Sequence, residues 1–298
     1  MITVGNFQID RAVEYEGPFL RPEELLVGYD PAVLERNRDW LGHTIDPATG
    51  QMRMSFHSFV LRTGRHTILI DTCMGNDKER PLRPIGHRRN TDFTAGLAQR
   101  GVKPEEVDYV MCTHLHWDHV GWNTKLHDGR WVPTFPNARY IMARTEYDHR
   151  DAMHASGDRS MHSLAFADSI LPLVHAERAV IVDDDHAVED GVWLQPCPGH
   201  TPGTVVLNIQ SHGSRGVFAG DVLHTPIQLA CPELSSIACH DQDLSRISRQ
   251  RFIEQHAETG NLVMPAHFLA PSAGQIVRHG NAFAFVDADG EEARRPDR

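Results

Sequence analysis

Four metal-binding side chains fall between positions 114 and 119, in the run Thr113-His114-Leu115-His116-Trp117-Asp118-His119-Val120-Gly121. Imidazole and carboxylate are natural ligands for Zn²⁺ and related divalent ions. A lone histidine at a strand end is ordinarily a satisfied, half-buried side chain. Three of them beside an aspartate would repel on protonation, and each would be costly to bury without partners. A shared cation answers both difficulties.

Spacing constrains how these groups are presented. On a strand, His114, His116 and Asp118 would point one way and His119 the other. On a helix, His116 and His119 would share a face, as would His114 and Asp118. The preceding Val107-Asp108-Tyr109-Val110-Met111-Cys112 is β-branched and aromatic, which predicts a strand. Gly121 follows almost at once. The expected picture is a strand running into a loop that opens a helix, from which ligands can splay toward two metal sites.

Other chemistry-bearing residues lie at the ends of further predicted strands. Asp71 closes Ile68-Leu69-Ile70-Asp71, and His200 sits in Pro198-Gly199-His200-Thr201-Pro202-Gly203. Asp221 follows Val217-Phe218-Ala219-Gly220, and His267 follows Leu262-Val263-Met264-Pro265-Ala266. With His-x-His-x-Asp-His these make five landmarks, in an order that resembles the metallo-β-lactamase superfamily over roughly residues 55 to 285. That resemblance implies an α/β fold, a four-layered αβ/βα sandwich of two mixed β-sheets flanked by helices, with the metals at one edge of the sheets. It implies a single domain over 1–298: an extension over 1–52, a core over 53–287 and a charged tail over 288–298. Carried over residue by residue, it gives His114, His116 and His200 to one metal, Asp118, His119 and His267 to a second, and Asp221 to both. Asp71 would support the loop without ligating.

The remaining chain supplies the positioning elements. Residues 2–9 predict a strand. Residues 14–50 are irregular apart from a short helix over 31–40, with Asp30 as its cap and Pro31 at its first position. This extension could be a lid or a dimer arm. A hairpin is expected over 53–71, turning at Thr63-Gly64-Arg65, and a helix over 91–100 ending before Gly101. Further hairpins are expected around His127-Asp128-Gly129 and His279-Gly280-Asn281. Strands are expected over 139–143, 178–183, 192–195, 204–209 and 216–220, and helices over 146–155 and 242–259.

Composition bounds the function. The chain has 298 residues, 40% apolar and ample for a core, with a net charge of −11. An acidic chain is a poor nucleic-acid binder without a basic patch, and Arg83, Arg88 and Arg89 form only a loose cluster read as a solvated loop. Five cysteines (73, 112, 197, 231, 239) contain no Cys-x-x-Cys pair, which argues for a reducing compartment. Cys112 and Cys197 lie beside the motifs and are read as small buried hydrophobes. The start Met1-Ile2-Thr3-Val4 has no signal-peptide character and no stretch has the length of a membrane span. A cytoplasmic protein acting on a small molecule, with no nucleic acid or membrane partner and with room for a homodimer, is the expectation. Of the 20 histidines, positions 127, 149, 154, 162, 175, 186, 212 and 279 match no family landmark and receive no role.

Two cations, expected as Zn²⁺ with Mn²⁺ or Fe²⁺ as alternatives, would acidify a bridging water for attack on a carbonyl or phosphoryl centre. Asp118 would accept and pass on a proton. The flavodiiron branch has a carboxylate where this chain has His116, so redox chemistry is disfavoured. The lactonases of the family place a tyrosine three residues after the bridging aspartate, where this chain has His224. The run through Gln228 and Pro232, and the ending Ala266-His267-Phe268…Gly274, resemble the methyl parathion hydrolase branch. The expected activity is therefore dinuclear hydrolysis of a carboxylic ester or lactone, with His224 donating to the substrate oxygen. The alternatives are a phosphotriester hydrolase and a non-catalytic metal-containing carrier. Trp117, Trp122, Phe56 and Phe268 could line an apolar pocket, or simply pack.

Overall fold

The computed structural model describes residues 1–288, so nearly all of the charged tail lies outside the described residues. The chain packs as two compact units, Met1–Glu14 with Phe56–His186, and Tyr15–Ser55 with Ala187 onward.

The first unit is built on a seven-stranded sheet of β1 (Ile2–Val4), β2 (Phe7–Pro18), β3 (Arg53–Arg62), β4 (Thr67–Ile70), β5 (Tyr109–Met111), β8 (Arg139–Ala143) and β9 (Ala179–Val182), in that spatial order. A separate ribbon pairs β6 (Thr124–His127) with β7 (Arg130–Pro133). β4, β5, β8 and β9 run parallel. Parallel strands are covered on both faces, and accordingly Ile68, Leu69, Val110 and Met111 are fully buried. Because neighbours run parallel, their carboxyl ends share one edge of the sheet. Asp71 follows β4 there, and the His114–His119 loop follows β5.

The second unit holds β10 (Ala187–Glu189), β11 (Val192–Pro196), β12 (Val205–Ser211), β13 (Ser214–Gly220), β14 (Leu262–Pro265), β15 (Gly274–His279) and β16 (Ala282–Asp287), again in spatial order. All neighbours are antiparallel except β13 and β14, which are joined through the helix Gln242–His256. That single parallel pair again puts two strand ends side by side, here carrying Asp221 and His267. Both sheets are thus mixed, with flanking helices.

Several elements depart from the sequence expectation. The strand over 2–9 is two strands turning at Gly5 (φ 57°), and β2 persists to Pro18. The helix over 31–40 is broken into Ala32–Arg36 and Arg38–Leu41. Asn37 breaks it: its amide donates to the Val33 carbonyl at 2.8 Å, substituting for the backbone bond a continuous helix would use. The chain over 161–175, assigned no element from sequence, is helical with a π-turn at Phe166–Ile170. No α-helix follows the ligand loop. The chain makes a single 3₁₀ turn, Gly121–Asn123, and enters β6. Gly121 lies flat on the backbone of Met74, where a Cβ would come within 1.9 Å, and this contact ties the loop to the 72–75 segment.

Candidate metal centre

In the first unit the ligand loop is held by two buried carboxylates. Asp71 (φ 56°) accepts from the Thr113 amide and the Thr113 hydroxyl, both at 2.8 Å, and from His119 Nδ1 at 2.8 Å. An imidazole that donates through Nδ1 presents Nε2 as its basic nitrogen, so Asp71 fixes the tautomer and orientation of His119. The Thr113 hydroxyl lies 3.1 Å from His114 Nδ1, which turns the far nitrogen of that ring in the same sense. The second carboxylate is Glu146 on the helix Arg144–Ala155. It accepts from the Leu115 amide at 3.1 Å, between the two ligand histidines, and pairs with Arg150 at 3.0 Å. The His119 amide closes the loop on the His116 carbonyl at 3.0 Å.

The outcome is a cluster of imidazoles. The rings of His114 and His119 are centred 4.1 Å apart, and those of His114 and His116 4.6 Å apart. All three are almost fully buried. So compact a buried set tolerates little positive charge of its own, and neutral imidazoles are the form that donates to a metal.

In the second unit the organising group is Asp221, placed by β13 and a turn at Gly220 (φ 50°). Its two oxygens face different partners. Oδ2 lies 3.2 Å from His200 Nε2 and 3.3 Å from His224 Nε2, whereas Oδ1 lies 3.1 Å from His267 Nε2. Each histidine has its own support. Ser55 receives His267 Nδ1 on its carbonyl at 3.1 Å and donates its amide to the His267 carbonyl at 3.0 Å. Cys239 Sγ lies 3.5 Å from His200 Nδ1, and Gln228 receives the His224 amide at 2.8 Å. Gly199 (φ 128°) is required beside His200, because a Cβ there would come within 2.2 Å of the Ser245 nitrogen.

Among the described residues, the His and Asp side chains suited to holding metal are His114, His116, Asp118 and His119 in the first unit and His200, Asp221 and His267 in the second. His224 stands outside that set, against Asp221. The donors fit a divalent cation: supported imidazoles with Nε2 presented, and a carboxylate with both oxygens engaged. Cys112 and Cys197 do not join them. Burial pushes each thiol up to about 12, so the thiolate a metal needs is scarce.

Sequence reasoning missed the supporting groups, Glu146, Ser55, Gln228 and Cys239, since nothing local to them signals a site. It also missed His162, whose ring lies 4.0 Å from that of His116 and whose pKa burial lowers to about 3. The chain leading into the loop of Arg83, Arg88 and Arg89 is not solvated throughout. Lys78 and Arg80 are fully buried on Asp168, which Arg80 holds through two bonds at 2.8 and 2.9 Å. Of the aromatic residues near the motifs, Trp122 is structural, donating to Glu14 at 2.8 Å, and Phe56 is core. Trp117 packs on Gly86, and Phe268 lines a cavity.

The sequence pattern of the metallo-beta-lactamase superfamily matches residues 57–268, and the chain belongs to that superfamily. The chain is similar to the N-acyl homoserine lactonase of Bacillus cereus, 27% identical over 190 residues covering 60% of this chain and 67% of that protein. It is also similar to N-acyl homoserine lactonase AiiA of Bacillus thuringiensis subsp. kurstaki, 31% identical over 176 residues covering 54% of this chain and 60% of that protein. The matches thus take in about three fifths to two thirds of these relatives. The fold is shared with the dizinc quorum-quenching lactonase AidC, solved with the product N-hexanoyl homoserine (TM-score 0.76, 20% identity, 96% of both chains), and with the hydrolase AbOPH (TM-score 0.78, 20% identity, 96% of both chains). No helix among the described residues is long and apolar enough to cross a membrane.

Proposed function

We propose that this protein is a dinuclear metal-dependent hydrolase of a lactone or carboxylic ester, its two units read as halves of one domain. His114, His116 and His200 hold one ion, Asp118, His119 and His267 the other, and Asp221 is shared. The observation that carries this reading is the Asp221 carboxylate, whose oxygens separately address His200 and His267 at 3.2 and 3.1 Å. A bridging carboxylate needs that division of labour. The superfamily match across 57–268 and the similarity to N-acyl homoserine lactonases supply the substrate class.

Two bound divalent ions, with Zn²⁺ the first expectation, would supply Lewis acidity and a water acidified toward neutrality. The chain's own groups do the rest. Asp71, Ser55 and Cys239 hold the ligand imidazoles in one orientation. Asp118, the most exposed of the ligands, accepts a proton and returns it to the leaving oxygen. His224, fixed through its amide by Gln228, donates to the carbonyl oxygen in the place of a phenol. All five cysteines are free, which supports a reducing compartment such as the cytoplasm.

The test is hydrolysis of an acyl homoserine lactone, an aromatic lactone, an aryl ester, a phosphotriester and a β-lactam by metal-loaded protein, with metal content measured alongside. Chelation should abolish turnover of the carbonyl substrates and Zn²⁺ restore it. Turnover indifferent to chelator would sink the mechanism, and preference for the phosphotriester would reassign the substrate.

A further inference from the structure

Arg249, on the helix Gln242–His256, is fully buried in the second unit. The hydrogen bonds of its guanidinium go to neutral oxygens. Nε donates to the Pro232 carbonyl at 2.9 Å, and the two terminal nitrogens donate to Ser235 Oγ at 3.1 Å and Ser245 Oγ at 3.4 Å. Burial lowers its pKa to about 10, so the group stays a cation at neutral pH, and a guanidinium can donate but never accept. Burying a cation on neutral oxygens is costly, yet the acceptors here lie along a path that ends at one histidine.

Ser245 Oγ, already engaged by Arg249, also receives the Cys239 thiol, which donates to it at 3.2 Å. A thiol has a single proton. With that proton spent on Ser245, Sγ can meet His200 Nδ1, 3.5 Å away, only as an acceptor. Nδ1 then carries the imidazole hydrogen, and Nε2 keeps the lone pair that a metal takes. The backbone supports the same arrangement. His240 and Asp241 donate their amides to the His200 and Gly199 carbonyls at 2.8 and 3.0 Å, so the chain carrying Cys239 runs alongside the His200 loop. Ser235, which receives Arg249, donates its own proton to the Gln242 carbonyl at 2.7 Å and joins that chain to the start of the helix.

We propose that Ser245, anchored by Arg249, is a positioning residue for the metal centre: it holds the Cys239 proton away from His200 and so keeps the imidazole ready to bind through Nε2 before an ion arrives. The inference rests on the reading of His200 as a metal ligand. The direction of the Arg249–Ser245–Cys239 chain does not. Without the Ser245 hydroxyl the thiol is free to turn its proton onto Nδ1. That would leave the imidazole hydrogen on Nε2, where the ion has to bind.

The experiment reads the Cys239 S–H stretch by infrared spectroscopy, assigned by its loss in Cys239→Ala, and Zn²⁺ affinity by competition with a chromophoric chelator. Wild type, Ser245→Ala, Ser245→Thr and Arg249→Lys are compared metal-free and zinc-loaded. In wild type the band should lie at the lowered frequency of a hydrogen-bonded thiol and stay there on loading. In Ser245→Ala it should become zinc-dependent, rising toward the free-thiol position as the ion displaces the thiol from Nδ1, and one of the two ions should bind about tenfold more weakly. Ser245→Thr keeps the hydroxyl and should restore both. A Ser245→Ala band as indifferent to zinc as that of wild type, or an unchanged zinc affinity, would overturn the inference while leaving the hydrolase standing. A wild type that takes up no zinc, with a metal-free band that still moves on Ser245→Ala, would overturn the metallohydrolase reading and leave the hydrogen-bond chain standing. Arg249→Lys is an independent handle. It keeps the charge but not the fork, so affinity should fall by less than in Ser245→Ala; an unchanged affinity and band would remove Arg249 from the chain.

Discussion

The two units build comparable sets of imidazoles and carboxylates by opposite means. In the first, His114, His116, Asp118 and His119 are neighbours in sequence, and the fold's task is to stop a flexible loop from collapsing on itself. Asp71 and Glu146 do so from outside the loop, by receiving the Thr113 and Leu115 amides. In the second, His200, Asp221 and His267 are each more than twenty residues from the next, and no local pattern joins them. There the parallel pairing of β13 with β14 puts two of them at one sheet edge, and the Ala266 amide bonds the Gly220 carbonyl at 3.3 Å to hold the strand ends together. A contiguous set depends on buried props beneath one loop. A dispersed set depends on its central carboxylate and on strand register.

This contrast can be tested in order of expected effect. Asp221→Ala should hit hardest, since it removes the centre of the dispersed set. Metal analysis should show loss of both ions, and activity should fall by about a thousandfold or more, in the range of a lost catalytic ligand. A variant that kept two ions would break the bridging assignment. Glu146→Ala should act on folding instead. It leaves the Arg150 charge buried without this carboxylate, a cost of about 3–5 kcal/mol that urea unfolding of the apo-protein would register. An unchanged midpoint would mean the loop needs no prop from the helix Arg144–Ala155.

Asp71→Asn should be milder. An amide can still receive the Thr113 amide but cannot also receive both the hydroxyl and His119 Nδ1. Metal affinity should drop about 10–100-fold with the fold intact, as read by competition with a chromophoric chelator. Cys239→Ser should be smallest on the metal side, weakening affinity less than tenfold, because a hydroxyl can still reach His200 Nδ1. If it cost more than Asp71→Asn, the ranking of props would be reversed.

A pH experiment sharpens the comparison away from the ligands. His256, at the end of the helix Gln242–His256 and tilted against the Phe252 ring with centroids 4.5 Å apart, has its pKa lowered by burial from 6.5 to about 4. The folded state resists its protonation, so the unfolded chain takes up the proton first. The stability this residue allows is present above pH 6.5 and is lost progressively as the pH falls toward 4. His256→Phe should lose less melting temperature than wild type between pH 7 and pH 5. Equal losses would place the acid sensitivity elsewhere.

What the sequence determined by itself is which side chains are candidate metal ligands and which strands carry them. His-x-His-x-Asp-His is legible because four donors in one short run have no other economical explanation. Asp71, Asp221 and His267 are legible because each closes an apolar run that only a buried strand explains. The hairpins at Asp128-Gly129 and Gly280-Asn281 were readable for the same local reason: residues that tolerate positive φ stand between alternating strands. Tertiary structure decided the rest. The helix over 31–40 breaks because the Asn37 side chain competes for the Val33 carbonyl, and the ligand loop makes a 3₁₀ turn because Gly121 is pressed onto Met74. Glu146, Ser55 and Cys239 became supports only when distant strands and helices brought them to a histidine or its loop. Ligand chemistry is a property of side-chain type and is written in the chain. Orientation and shape are properties of contacts between segments far apart in sequence, and those exist only once the backbone has folded.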